Sequence, residues 1–290
     1  MRTQNPPEII PDIEHHMVTG GGGARLHVVE TGNPGGRPLV FLHGFSQSWL
    51  AWQPQMCSTL ADDYRLVALD LRGHGRSDKP AAVYAEGALW AEDVAAVLRE
   101  LLLEQPVLIG WSYGTIVVLD YLRAFGEDSV AGISIVGGIT RLGSAEALAA
   151  LTPEMLDVLP GCFASETEKS VRGLTGLLEL CFVRRPTPED LYPMLGYNLT
   201  VPPPVRHQPV VVGQGGAHLG LPGEPALREA VEEHQRASAG VARFDDVQPG
   251  AAPSRDHVVF DSRNDLRRVL GEHSDLLSSG GTTNVIGGGG

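Results

Sequence analysis

The chain has 290 residues, with 42% hydrophobic and 20% charged content and a formal net charge of −13, which suits a folded protein of one or two domains with a substantial core. That charge argues against nucleic acid or an anionic membrane surface as a partner. Cys57, Cys162 and Cys181 stand far apart with no C-x-x-C pair, a pattern of reduced, packing thiols that implies neither metal nor cofactor. No stretch has the length and apolarity of a membrane span, and the first residues carry no apolar leader, so the expected compartment is the cytoplasm.

Taken in chain order, residues 15–19 and 24–30 flank Gly20 to Gly23 and predict a β-hairpin. Residues 38–42 form a short continuous apolar run, as do 65–70 and 106–109; such runs suit strands buried on both faces. Between the second and third runs, Leu89, Val94, Val97, Leu98, Leu101 and Leu102 recur at helical spacing over residues 87–103. Residues 115–122 predict a further helix and 130–136 a further strand. Strands alternating with helices imply a doubly wound, mostly parallel α/β sheet, with the functional site at the carboxyl ends of the strands.

Three of the turns along that rim carry chemical signal. Gly110-Trp111-Ser112-Tyr113-Gly114 lies between a strand and a helix, the context in which G-x-S-x-G forms a nucleophile elbow. The reading makes Ser112 an exposed nucleophile and explains Gly110 and Gly114 by the close approach of strand and helix. His43-Gly44-Phe45 follows the first apolar run. In acyl-transfer enzymes of this architecture, an amide of that loop joins the amide after the nucleophile to hold an oxyanion; here those donors are Phe45 and Tyr113. His43 sits in the loop itself, so a structural role suits it better than that of a general base. The third turn, residues 70–80 (DLRGHGRSDKP), has glycines for a tight crossover and charges expected to pair locally. It assigns no catalytic role to His74.

These three motifs, in this order and spacing, resemble the α/β-hydrolase superfamily, in particular its serine-nucleophile esterase and cofactor-free haloperoxidase-like branch. The resemblance covers about residues 15–206. It implies Ser112 as nucleophile and the Phe45 and Tyr113 amides as oxyanion hole. Related dehalogenases and epoxide hydrolases carry aspartate at the nucleophile position, so Ser112 disfavours both of those chemistries.

The resemblance divides the chain into a core at 15–138, an inserted helical cap at 139–206, an atypical part of the core at 207–276 and a glycine-rich tail at 277–290 expected to be disordered. Within the cap, residues 144–151, 154–159, 166–183 and 188–195 have helix-like spacing punctuated by prolines. Leu174, Leu177, Leu178, Leu180, Cys181 and Phe182 would either cover Ser112 with an apolar surface or pack the cap onto the core. Trp49, Trp52, Trp111 and Tyr113 are candidate aromatic walls. After Arg206 the pattern fails: the expected acid-bearing and histidine-bearing segments are absent, and 207–290 contains no Trp, Tyr or Lys. That abrupt loss fits either divergence or a shifted reading frame. If the triad is completed at all, order and distance favour Asp245 or Asp246 as acid and His257 or His273 as base.

Two functions follow. The first is a hydrolase of esters or related acyl compounds acting through a serine acyl-enzyme on a small, partly apolar substrate. The second is an α/β-hydrolase-fold protein without a working triad, binding a ligand or inactive.

Overall fold

The computed structural model describes residues 12–81, 84, 86–138 and 151–206, and the backbone of 257–260. Among the described residues seven strands form one sheet: β1 (Glu14–Thr19), β2 (Arg25–Gly32), β3 (Pro38–Leu42), β4 (Arg65–Leu69), β5 (Val107–Trp111), β6 (Gly132–Val136) and β7 (His257–Phe260), in the spatial order β1-β2-β4-β3-β5-β6-β7. The four central strands are parallel; β1, β2 and β7 join antiparallel at the edges. The hairpin, the alternating apolar runs and the parallel centre match the sequence expectation.

Helices α1 (Gln53–Met56), α2 (Leu60–Asp63), α3 (Gly87–Glu100) and α4 (Tyr113–Phe125) complete the core layers. The continuous apolar runs serve two cores because side chains alternate along a strand. Leu26, Val28, Val40, Leu42, Val67, Leu69, Leu108 and Ile133 pack with α3 and α4 on one face. Val29, Phe41, Leu66, Ala68 and Ile109 face the other side, with Trp52 and Met56 from the segment around α1. On that second face Val107, Trp111 and Val136 are only partly buried among the described residues.

The described residues 151–206, expected to form an inserted cap, contain α5 (Pro153–Cys162), α6 (Thr167–Leu180), α7 (Pro188–Leu199) and the short α8 (Pro203–Arg206). Two of these start on the same device: Thr152 and Thr187 each cap an amide three residues on with their hydroxyl, and a proline follows at the first helical position. Gly161 and Gly173 let α5 and α6 touch backbone to backbone; a Cβ on Gly161 would lie 2.8 Å from Gly173 Cα. Leu174 and Leu178 are buried, Leu174 in a small cap core with Cys162 and Phe163. Leu180, Cys181 and Phe182 are exposed. The six residues 174–182 singled out above therefore do not form one sheet of apolar cover. The buried pair packs the cap, and the last three sit beyond or at the end of the amphipathic stretch of α6.

Candidate active site

The turn after β5 carries the most constrained backbone in the site. Ser112 stands between the last residue of β5 and the first of α4 with φ 50° and ψ −114°. A non-glycine residue adopts such a conformation only where its surroundings hold it, at a cost of about 1–3 kcal/mol. Its amide donates to Val136 O of β6 at 2.9 Å, and its carbonyl accepts from Thr115 N at 3.0 Å. Both flanking glycines are needed for the crossing. A Cβ on Gly110 would lie 2.8 Å from Gly114 O, and one on Gly114 would overlap Leu42 O at the end of β3. Although Ser112 occupies the position before α4, its side chain makes no capping hydrogen bond.

The loop after β3 meets this turn. A Cβ on Gly44 would lie 3.3 Å from Ser112 Cβ and 3.3 Å from the Trp111 ring, so the glycine leaves room for the serine side chain. His43 is fully buried and both of its ring nitrogens are used. Nδ1 meets Gly44 O at 2.8 Å, and Nε2 accepts from Leu71 N at 3.0 Å. This pattern requires a neutral ring with the proton on Nδ1. Burial lowers its pKa, only partly opposed by Asp70 and by the Gly44 carbonyl. Gly44 O also accepts from Gln47 N at 3.2 Å. A planar trans peptide directs its N–H opposite to its C=O, so the Phe45 amide points away from the His43 ring and the Gln47 amide that the Gly44 carbonyl faces. Among the described residues that amide has no acceptor. The Tyr113 amide, first in α4, is one of the donors that a helix cannot satisfy internally, and it lies at the positive end of the helix dipole.

The loop after β4 is wired differently. Asp70 Oδ1 accepts from Trp49 N at 2.9 Å, and Oδ2 meets Arg76 N at 2.9 Å and His27 Nδ1 at 2.8 Å. Burial pushes the Asp70 carboxyl up, but His27, His43 and the two amides outweigh it and hold the group below the usual range. Arg72 is buried and does not pair within its loop, contrary to the expectation of local pairing. It reaches α3, where Nε and Nη2 donate to the two Asp93 oxygens at 2.7 and 2.6 Å. Asp93 lies among Trp90, Val94 and Val97 on the apolar face of α3. A carboxylate at such a position was the sequence signal for a buried cation. His74 is buried with Nδ1 against Arg72 O, and burial together with His43 pushes its pKa down to about 3.

Two of the proposed aromatic walls are core residues instead. Trp52 is buried against Phe41, and the Tyr113 ring packs edge-on to Trp90 inside the main core. Trp49 and Trp111 are partly buried at the rim. Sequence reasoning also missed Asn198 near the end of α7. Fully buried, it meets the loop after β3: Ser46 Oγ donates to Asn198 O at 3.1 Å and Gln47 Nε2 to Asn198 Oδ1 at 3.4 Å. A lone Asn in a cap helix gave no signal of it.

Asp245, Asp246 and His273 lie outside the described residues, as do His207, His218 and His234. His257 opens β7 and pairs in register with Val136, whose carbonyl accepts the Ser112 amide. Its backbone thus stands at the same end of the sheet as Ser112, two strand spacings or about 10 Å away. Among the described residues no cluster of His, Cys, Asp and Glu could hold a metal ion, and no helix is long and apolar enough to cross a membrane.

Comparison with known proteins agrees with this fold. Residues 37–172 match the family described as alpha/beta hydrolase fold. The esterase RhEst1 from Rhodococcus sp. ECU1013 is similar at 36% identity and TM-score 0.61, over 70% of this chain and 74% of that one. A structure described as a putative aryl esterase from Burkholderia cenocepacia is similar at 33% identity and TM-score 0.59, over 67% and 70% of the two chains. Among curated relatives, epoxide hydrolase 3 of Siraitia grosvenorii is 31% identical over 119 residues, 41% of this chain and 37% of that protein. The first curated relatives are matched over only 21% to 37% of their own length. With its elbow, its sheet order and these likenesses together, the chain belongs to the α/β-hydrolase superfamily.

Proposed function

We propose that the protein is a hydrolase of carboxylic esters or related acyl compounds, working through an acyl-enzyme on Ser112. The observation that carries this reading is the left-handed Ser112 at the start of α4, its hydroxyl unused as a cap and facing the side-chain-free Gly44. Ser112 Oγ attacks the carbonyl carbon and passes its proton to a histidine. The carbonyl oxygen becomes an oxyanion that accepts from the Phe45 and Tyr113 amides, each such donor being worth about 3 kcal/mol. Collapse of the tetrahedral species expels the alcohol, which takes up the proton. Water then enters by the same route and releases the acid.

Of the histidines weighed as base, His257 gains support from its register beside Val136. A serine at residue 112, where epoxide hydrolases resemble one another in using aspartate, favours the esterase likeness over the epoxide hydrolase one. Phe45, Leu159, Leu177 and Leu195, partly buried around Phe163 where the cap meets the loop after β3, support an apolar acyl or alcohol portion in the substrate.

The test is hydrolysis of p-nitrophenyl acetate and butyrate. Turnover by the wild type that falls at least 1,000-fold in Ser112→Ala supports the proposal. A folded wild type without turnover on either ester supports the alternative of a hydrolase fold that has lost catalysis.

A further inference from the structure

The oxyanion loop contains a second backbone strain, and its support comes from the cap. Gly44 O and Gln47 N close a four-residue turn at 3.2 Å with Phe45 and Ser46 at its centre. Ser46 has φ 60° and is fully buried. A positive φ at the third residue of a turn is where glycine is ordinarily found, and a serine held there costs free energy that its neighbours must offset. The turn geometry matters to chemistry because it fixes the Gly44 carbonyl, and through the rigid peptide plane it fixes the direction of the Phe45 N–H.

The neighbour that holds Ser46 is Asn198. Its backbone carbonyl accepts the Ser46 hydroxyl at 3.1 Å, its side-chain oxygen accepts from Gln47 Nε2 at 3.4 Å, and its own Nδ2 donates to Met194 O one turn back in α7 at 2.8 Å. All three residues of this latch are buried, Asn198 and Ser46 completely and Gln47 to 3% exposure. Beside it, Phe45 packs on Phe163 of the cap with ring centroids 5.2 Å apart. A buried, mutually satisfied polar contact between two separate parts of a chain fixes their relation more sharply than apolar packing does.

We propose that Asn198 is a positioning residue for the oxyanion hole: through Ser46 and Gln47 the cap helix α7 holds the turn that aims the Phe45 amide at Ser112. This rests on the acyl-enzyme reading above. Cap seating then governs kcat more than substrate binding, because the amide is needed most when charge develops on the carbonyl oxygen.

The experiment measures kcat and KM for p-nitrophenyl butyrate in the wild type, Asn198→Leu, Gln47→Ala, the double variant and Asn198→Asp, with Ser112→Ala as control. Ser112-dependent turnover in the wild type is scored first and concerns the acyl-enzyme reading alone; its absence overturns that reading and this proposal with it. Given that turnover, Asn198→Leu is expected to lower kcat 10- to 100-fold with KM within about twofold. The double variant should be no slower than Asn198→Leu, since both break one latch. Asn198→Asp, which keeps the acceptor for Gln47, should recover part of the loss. Should Asn198→Leu fail to fold, Ser46→Ala removes the separate bond to the Asn198 backbone carbonyl, which Asn198→Leu leaves in place, and is likewise expected to lower kcat with KM within about twofold. A kcat within twofold of wild type, or a loss confined to KM, overturns the proposal.

Discussion

The two rim loops that leave adjacent parallel strands, after β3 and after β4, are built from similar residues and put them to different uses. The loop after β4 ties Asp70, Arg72 and Ser77 into hydrogen bonds, while His74 Nε2 is buried without a partner among the described residues. Asp70 is met by His27 and two amides, Arg72 by Asp93 and two carbonyls, and Ser77 Oγ donates to Asp70 O at 2.5 Å. The loop after β3 uses His43 to fix the Gly44 carbonyl, and the Phe45 amide is among those of the loop without an acceptor among the described residues. Buried polar groups that are satisfied build a scaffold. A donor left free beside a strained serine is a group available for chemistry. The contrast teaches that glycine, histidine and charge in a motif do not by themselves separate structure from function; where each group finds its partner has to be read residue by residue.

The strongest way to break this contrast is to open the scaffold loop. Arg72→Met leaves the Asp93 carboxylate buried without its cation and should cost about 3–5 kcal/mol of stability, read as a shift in the urea unfolding midpoint. A loss below about 1 kcal/mol would show that the buried pair is not the anchor of that loop.

The next effect is in pH. His43 and His74 are neutral in the fold because burial lowers their pKa values, to about 3 for His74. Their unfolded counterparts take up protons below about 6.5. The stability they contribute is therefore complete above pH 6.5 and falls with pH below it, by up to about 1.4 kcal/mol per pH unit for each ring. His74→Asn, which keeps a donor for the Arg72 carbonyl but cannot titrate, should flatten the slope between pH 6.5 and 5 by that amount in chemical denaturation. An unchanged slope would mean that His74 is not held neutral.

Asp120 supplies the smallest effect and the reverse sign. It is buried in α4, and burial raises its pKa to about 6 against the pull of Arg123, which donates from a partly exposed position at 2.7 Å. A raised carboxyl pKa means that the folded state holds the proton longer, so stability is greatest near pH 4 and is lost as pH rises through about 6. Asp120→Asn should be more stable than the wild type at pH 8 by about 1 kcal/mol and no more stable at pH 4. Equal melting temperatures at both pH values would remove Asp120 from the set of strained buried charges and weaken the contrast with the fully partnered Asp70.

Much of the core was legible in the sequence because its signals are local. Continuous apolar runs need a strand buried on both faces, and a glycine-serine-glycine turn between strand and helix has few other uses, so β3, β4, β5, α4 and Ser112 could be read directly. What escaped depends on distance along the chain. Arg72 meets Asp93 twenty-one residues on, and Ser46 meets Asn198 one hundred and fifty-two residues on; no periodicity encodes such partners. The aromatic walls were misread for a related reason. Trp52 and Tyr113 sit in site loops by sequence, but Tyr113 opens α4 and Trp52 directly precedes α1, and both rings pack into the cores. The acid candidates Asp245 and Asp246 and the alternative base His273 fall outside the described residues, and for His257 the register with Val136 speaks only to its backbone.

The central claim is that Ser112 is an activated nucleophile in a working oxyanion site. Its most direct test is covalent labelling of the wild-type protein with a fluorophosphonate probe, followed by peptide mass spectrometry. The account predicts one adduct, on the peptide containing Ser112, formed at neutral pH and absent from Ser112→Ala. A folded wild-type protein that remains unlabelled, or that is labelled elsewhere with Ser112 intact, would contradict it.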